Sequence, residues 1–326
     1  MSTNRRRWLM GACAALGSAA VARGQPALER RAPGLPAIWA AAGSNDGQLA
    51  LAVGPRGGIA RRVSTAAAVS PWARLAAPTT ADLAAVCAPS AKVAYAAGHE
   101  GTVLCTDDGG QSWRLRAHQP GAAQAWLAVC ANRKGQVLVC GTHGRALASG
   151  DAGVTWRRLD LDWSDREPLH LLACAASDSG RFVMLGEQGC LFVAPSPFGP
   201  WVAQPALPRS VFAVVASGDE MVAAGLSGLL MHCARPDGAW RTVPIVGQGR
   251  VGSLFAAARD AQGALWACGE QGLCTKLSAD RREASVQPLP TRQSLTAVIP
   301  LLGTGAKTAA GVELLSASGG EFEVRS

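Results

Sequence analysis

Residues 98–113 read GHEGTVLCTDDGGQSW, and two features of this stretch recur along the chain. The first is G-x-x-G. It appears as GPRG from Gly54, GHEG from Gly98, GTHG from Gly141, GEQG from Gly186, GLSG from Gly225 and GEQG from Gly269. A degenerate seventh copy is assigned to Gly311 in AAGVELL. The spacing is about 43 residues throughout. Self-similarity at such a period decides a fold before any single element does.

Each unit has one grammar. An apolar run comes first, such as LAAVCA, WLAVCA, LLACAA, FAVVAS, LFAAAR or LTAVIP. A second run leads into G-x-x-G and a third leaves it. A turn and a tryptophan-led fourth run follow in most units. Runs of 4–8 residues bounded by Gly, Asp and Pro read as strands. Four strands repeated every 40–45 residues make a propeller blade. The expected fold is all-β: a seven-bladed β-propeller of four-stranded blades, forming one domain over residues 23–326. Whether an N-terminal strand completes the last blade is open, because the first and last units both look whole.

The second recurring feature is S/T-x-D-x-G-x-x-W. It spans Thr106, Asp108, Gly110 and Trp113 in one unit, and Ser149, Asp151, Gly153 and Trp156 in the next. Later copies decay, ending at Trp201, Trp240 and Phe322, and SADRREASVQ has lost the motif. The pattern suits a structural turn. An aspartate accepts backbone N–H groups, glycine takes the positive φ, and tryptophan packs the strand edge on the adjacent blade. A calcium loop would need a different ligand spacing and a terminal glutamate, so no metal is expected.

The chain has 326 residues, 48% hydrophobic and 17% charged. Residues 1–22 read as an export signal. Three arginines precede an uncharged apolar run from Trp8 to Ala22, and Ala20-Val21-Ala22 offers a small-residue cleavage site. The run is shorter than the roughly 20 residues that span a bilayer. NRRRWL resembles the twin-arginine motif, and the general route fits as well. The expected location is the periplasm or an equivalent lumen. Loss of Arg5, Arg6 and Arg7 lowers the formal net charge from +8 to +5. No Lys/Arg-rich run marks a nucleic-acid surface.

Nine cysteines remain after Cys13, an odd number that fits no complete disulfide framework. Cys87, Cys130 and Cys174 hold matching places in three apolar runs and read as small core residues, too far apart to be bridged. Cys268 and Cys274 flank GEQG and are expected on opposite faces of a hairpin.

The stretch opened on carries a resemblance. S/T-x-D-x-G-x-x-W is the Asp-box of bacterial neuraminidase-type repeats, and GHEGTVLCTDDGGQSW resembles the repeat of the photosystem II assembly and stability factors. The likeness is strongest over residues 83–158. It implies a seven-bladed binding scaffold, exported, without catalysis or cofactor, that helps assemble membrane complexes. A protein partner and a monomeric chain are the expectations that follow.

Turns between strands one and two, and three and four, share one face of a propeller. The G-x-x-G loops then lie on the opposite face from the Asp-boxes. That face gathers Arg56, His99, Glu100, His143, Glu187, Gln188, Glu270 and Gln271. Arg166, Arg209, Arg250 and Arg292 recur near the starts of four successive inner strands, which places an arc of arginine at the channel mouth. Clustered arginines suit carboxylate or phosphate groups and protein interfaces. The alternative is a carbohydrate-active propeller. A glycosidase needs paired carboxylates, for which Glu100, Glu187 and Glu270 are the candidates. A sialidase needs a tyrosine nucleophile, and the one tyrosine, Tyr95, falls in a buried run.

Overall fold

The structure is a computed structural model. It describes residues 30–31, 35, 37–44, 46–65, 68–119, 123–163, 167–247, 252–301 and 311–325. The expected export signal therefore lies outside the described residues.

Seven sheets, each with an antiparallel run of consecutive strands, are arranged along the chain. Their inner strands are Ala40–Gly43, Leu83–Cys87, Trp126–Ala131, Leu171–Ala176, Val211–Ser217, Leu254–Arg259 and Leu295–Leu301, which define blades 1 to 7. Each inner strand touches the inner strand of both neighbouring blades, and that of blade 7 touches that of blade 1. The ring is closed and a central channel runs through it.

The second strands explain the alanine-rich composition. Ala94–Gly98, Val137–Gly141, Phe182–Gly186 and Leu265–Gly269 are buried along their whole length. Both faces of each blade pack on neighbours, so the usual alternation of apolar and polar residues is replaced by a continuous apolar run. Small residues let the sheets approach. Seven clusters of buried side chains form the core, each built largely from two adjacent blades.

The seventh unit differs from the sequence expectation, and the strand that completes it, left open by the sequence, is N-terminal. Blade 7 contributes three strands of its own, Leu295–Leu301, Gly311–Ser316 and Gly320–Arg325. Its outer strand is the N-terminal pair Arg30–Arg31, with Arg30 opposite Glu321 and Arg31 opposite Gly320. Gly311 begins the second strand, so it is no G-x-x-G glycine. SASGG is the loop after that strand, and its Ala317 carbonyl accepts the Ile38 N–H at the start of blade 1. Phe322 therefore sits in a third strand, where a decayed Asp-box had been expected. Blade 6 carries a fifth strand, Ile245–Val246, parallel to Ala284–Val286.

One cysteine expectation is also corrected. Cys268 and Cys274 are direct cross-strand partners, hence on one face, and both are fully buried free thiols. Cys130, Cys140 and Cys174 are buried free thiols, which bears out the reading of Cys130 and Cys174 as small core residues. Burial pushes all three thiols up from their ordinary pKa. All nine cysteines from Cys87 to Cys274 are free.

Candidate functional site on the loop face

The Asp-box turns close by their own side chains. Thr106 Oγ1 donates to Asp108 Oδ1 at 2.7 Å and accepts the Gly110 N–H at 2.9 Å. Asp108 also accepts the N–H and hydroxyl of Ser112. Ser149, Asp151, Gly153 and Thr155 repeat the arrangement, with Thr155 Oγ1 donating to Asp151 Oδ2 at 2.6 Å. These bonds hold both carboxyls below their usual range, Asp151 at about 2. The aspartates are fully engaged in shaping the turn. Trp113 packs among side chains of blades 1 and 2, and Trp156 among those of blades 2 and 3. Blade 6 keeps half of the box: Ser278 Oγ donates to Asp280 Oδ1 at 2.8 Å. Its glycine and tryptophan are gone, which is why the sequence looked empty there.

A hollow of about 460 Å³ opens on this face. Asp46, Ser90, Tyr95, Asn132, Arg133 and Ala152 are among its lining residues. Asp46 accepts the Gln48 N–H at 3.1 Å, and burial pushes the Tyr95 phenol up to about 12.

The G-x-x-G loops are built by close approach. A Cβ on Gly54, Gly98, Gly141 or Gly186 would lie 2.0 Å from a carbonyl oxygen just ahead of the same blade's inner strand. The third loop position is left-handed in six blades: Arg56, Glu100, His143, Gln188, Ser227 and Gln271 have φ of 52–56°. This turns the N–H of that residue toward the next blade. Arg56 donates to Asp82 Oδ1 at 2.7 Å, His143 to His170 Nδ1 at 3.1 Å, Gln188 to Ser210 Oγ at 3.0 Å and Ser227 to Ser253 Oγ at 3.3 Å. Each acceptor directly precedes the next inner strand, so the loops latch neighbouring blades together.

The second loop position works within its own blade. Glu187 Oε2 accepts the His170 N–H at 3.0 Å, and Glu270 Oε2 accepts the Ser253 N–H at 2.9 Å. Thr142 Oγ1 does the same for the Ala125 N–H at 3.2 Å. The two glutamates stand in blades 4 and 6, each committed to a backbone group. Glu100, in blade 2, lies 3.7 Å from His118 Nε2. His99 stacks against Trp39 at 6.1 Å, and His143 meets His170 edge-on at 5.0 Å.

Arginine remains at the surface. Arg56, Arg145, Arg209 and Arg292 are exposed. Arg209 Nη1 donates to the Ser227 carbonyl at 3.1 Å and Arg145 Nη1 to Gln124 Oε1 at 3.1 Å. Arg166 and Arg250 lie outside the described residues. The loop face thus presents arginine together with partly exposed Glu100 and exposed Glu167, while Glu187 and Glu270 each hold a backbone N–H.

A ring of residues that the sequence reading passed over completes the site. In blades 2 to 7 the register slips just after the first residue of the inner strand. The residue at the slip is Ala84, Leu127, Leu172, Phe212, Phe255 and Thr296, and Trp39 is its counterpart in blade 1. All seven are partly exposed at the channel mouth on the loop face. Their spacing was visible in the sequence. Aligning blade 5 on Phe212 instead of Val211 hid it.

The model of the photosynthesis system II assembly factor YCF48 family matches residues 64–264. Among solved structures, the WD40 β-propeller domain of Doa1 is similar at a TM-score of 0.67 and 12% identity, covering 91% of this chain and 97% of its own. A structure of YCF48 bound to D1 peptide is similar at a TM-score of 0.64 and 14% identity, covering 95% of this chain and 100% of its own. No curated protein sequence matches this chain. At those identities the solved structures speak to the fold, whereas the family model runs through most of the chain, from the outer part of blade 1 into blade 6: this protein belongs to the photosynthesis system II assembly factor YCF48 family.

Proposed function

We propose that this chain is an exported, non-catalytic propeller that binds a protein partner through its G-x-x-G face. In this reading it acts as a monomer in the periplasm or an equivalent lumen, and helps a membrane or envelope complex to assemble or persist. The observation that carries the reading is the set of exposed arginines on that face, which also holds the carboxylates of partly exposed Glu100 and exposed Glu167. Arg56, Arg145, Arg209 and Arg292 are exposed, while Glu187 and Glu270 are tied to backbone N–H groups. Exposed guanidinium groups suit an acidic protein segment, because arginine is enriched at interfaces and pairs bidentately with carboxylate. Family membership supports the scaffold role, and a YCF48 structure contains a bound D1 peptide.

The test is affinity capture with the full chain from an envelope extract. Wild type is expected to recover a discrete partner, and Arg209→Glu with Arg292→Glu to lose it. Unchanged recovery by the charge-reversed chain overturns the assignment of the face. Turnover of any member of a glycan panel, abolished by Glu187→Gln, overturns the non-catalytic part.

A further inference from the structure

Five large apolar side chains share one repeated position: Trp39, Leu127, Leu172, Phe212 and Phe255. All are partly exposed, and none belongs to or packs against any of the seven core clusters. Burial of apolar surface favours folding in proportion to area, and each of these side chains leaves part of its area outside the core. Scattered exposed apolar residues need no explanation, but a contiguous group on a polar surface marks an interaction site. This group is contiguous. Four of the five come from successive blades 3 to 6, whose inner strands touch, and the rings of Phe212 and Phe255 are 5.9 Å apart.

The backbone places them there by a repeated device. The register slip after the first inner-strand residue lets the next side chain leave the buried alternation. The surrounding charge is mixed, with partly exposed Glu100 and exposed Glu167 on blades 2 and 4 and arginine beside blades 5 and 7. Exposed Arg209 and Arg292 precede the inner strands of blades 5 and 7, and the nearby Glu187 and Glu270 carboxylates are held on backbone N–H groups.

We infer that this apolar collar is a socket for one bulky apolar side chain on a short acidic peptide segment, the carboxylates of that segment meeting the arginine rim. The inference rests on the partner-binding reading and specifies the chemistry of what is bound. The apolar side chain displaces water from the collar and sets specificity. The carboxylates add rate and orientation, as rim charges do.

The experiment is selection of a random heptapeptide library on the full-length chain, followed by fluorescence anisotropy with the enriched peptides. The expected outcome is enrichment of sequences that set Phe, Leu, Ile or Trp beside Asp or Glu. Replacing that apolar residue by Ser in the peptide should weaken binding at least tenfold. Phe212→Ser with Phe255→Ser should do the same, while Val202→Ser, at an exposed site on an outer strand, should not. Circular dichroism melting checks that each variant is folded. If the double serine variant does not fold, Leu172→Ser alone is measured with the same expectation. No enrichment, enrichment without an apolar residue, or equal binding by a folded collar variant each overturns the socket. Binding lost with Arg209→Glu and Arg292→Glu but kept in the collar variant would leave the partner-binding face standing and remove the socket alone.

Discussion

The backbone N–H of His143 in blade 3 donates to Nδ1 of His170, the residue just ahead of the inner strand of blade 4, at 3.1 Å. The bond exists because His143 is left-handed, with φ of 56°, which turns its N–H out of its own loop. The same geometry joins Arg56 to Asp82, Gln188 to Ser210 and Ser227 to Ser253. The G-x-x-G loop is thus both a turn and a fastener.

Removing one fastener should loosen the ring measurably. A neutral hydrogen bond contributes about 0.5–1.5 kcal/mol. Ser210→Ala and Ser253→Ala are each expected to lower the unfolding free energy by about 1 kcal/mol, read from urea titration. Midpoints identical to wild type for both variants would show that the latches add nothing to stability.

The first glycine of each loop is required by contact and not by its φ. Gly186 has an extended φ of −171°, and a Cβ there would meet the His170 carbonyl oxygen at 2.0 Å. Gly186→Ala is expected to cost about 3 kcal/mol, as overpacking against rigid backbone does. Gly218→Ala supplies the contrast: φ is +67° and nothing lies within 4 Å. Left-handed strain alone costs about 1–2 kcal/mol. A melting temperature less affected at Gly186 than at Gly218 would contradict the close-approach account.

Acid should open the Asp-box turns. The hydroxyl and N–H of Thr155, with the Ser149 hydroxyl, hold the Asp151 carboxyl at about 2, below its ordinary 3.8. A depressed folded pKa means that the contribution is complete above about pH 3.8 and is lost as pH falls toward 2. Asp151→Asn should therefore flatten the decline of stability across that window. Thermal melts of wild type and variant at pH 5, 4, 3 and 2 measure it, and parallel curves would refute the assignment.

The seam that closes the ring should respond in the opposite direction. Arg62 of blade 1 forms a bidentate pair with Glu313 of blade 7, one arm at 2.8 Å, and its guanidinium lies 4.8 Å from the Trp72 ring. Glu321 is half-buried beside this pair and opposite Arg30. Burial first, and the Glu313 charge next, raise its carboxyl from 4.5 to about 7. A raised folded pKa means that the contribution is complete below about pH 4.5 and is lost as pH rises through about 7. Glu321→Gln is expected to stabilise the protein at pH 8 and to leave it little changed at pH 4. A variant no more stable than wild type at pH 8 would end this account.

Much of the loop chemistry was legible from local pattern. Asp108 and Asp151 sit two residues after a hydroxyl and two before a glycine, and a turn of that length leaves them few partners beyond its own N–H groups. Glu187 and Glu270 read equally well as candidate catalytic acids, since a glutamate in a polar loop looks the same whether or not a backbone N–H lies under it. The collar was hidden by a one-residue register slip. Strict alternation cannot represent an extra residue, so Phe212 was read as the strand's first anchor and Val211 was passed over.

The sequence by itself determined the number of units, the four-strand grammar and the two kinds of turn, because those depend on φ, spacing and hydrophobic runs within about 43 residues. Tertiary structure decided what depends on partners distant in the chain. It set Arg30–Arg31 as the outer strand of blade 7, paired Arg62 of blade 1 with Glu313 of blade 7, and brought the rings of Phe212 and Phe255 to 5.9 Å of one another. Local energetics cannot choose among open edges that all offer unpaired N–H and C=O groups. Closing the ring chooses, since it buries both faces of every blade.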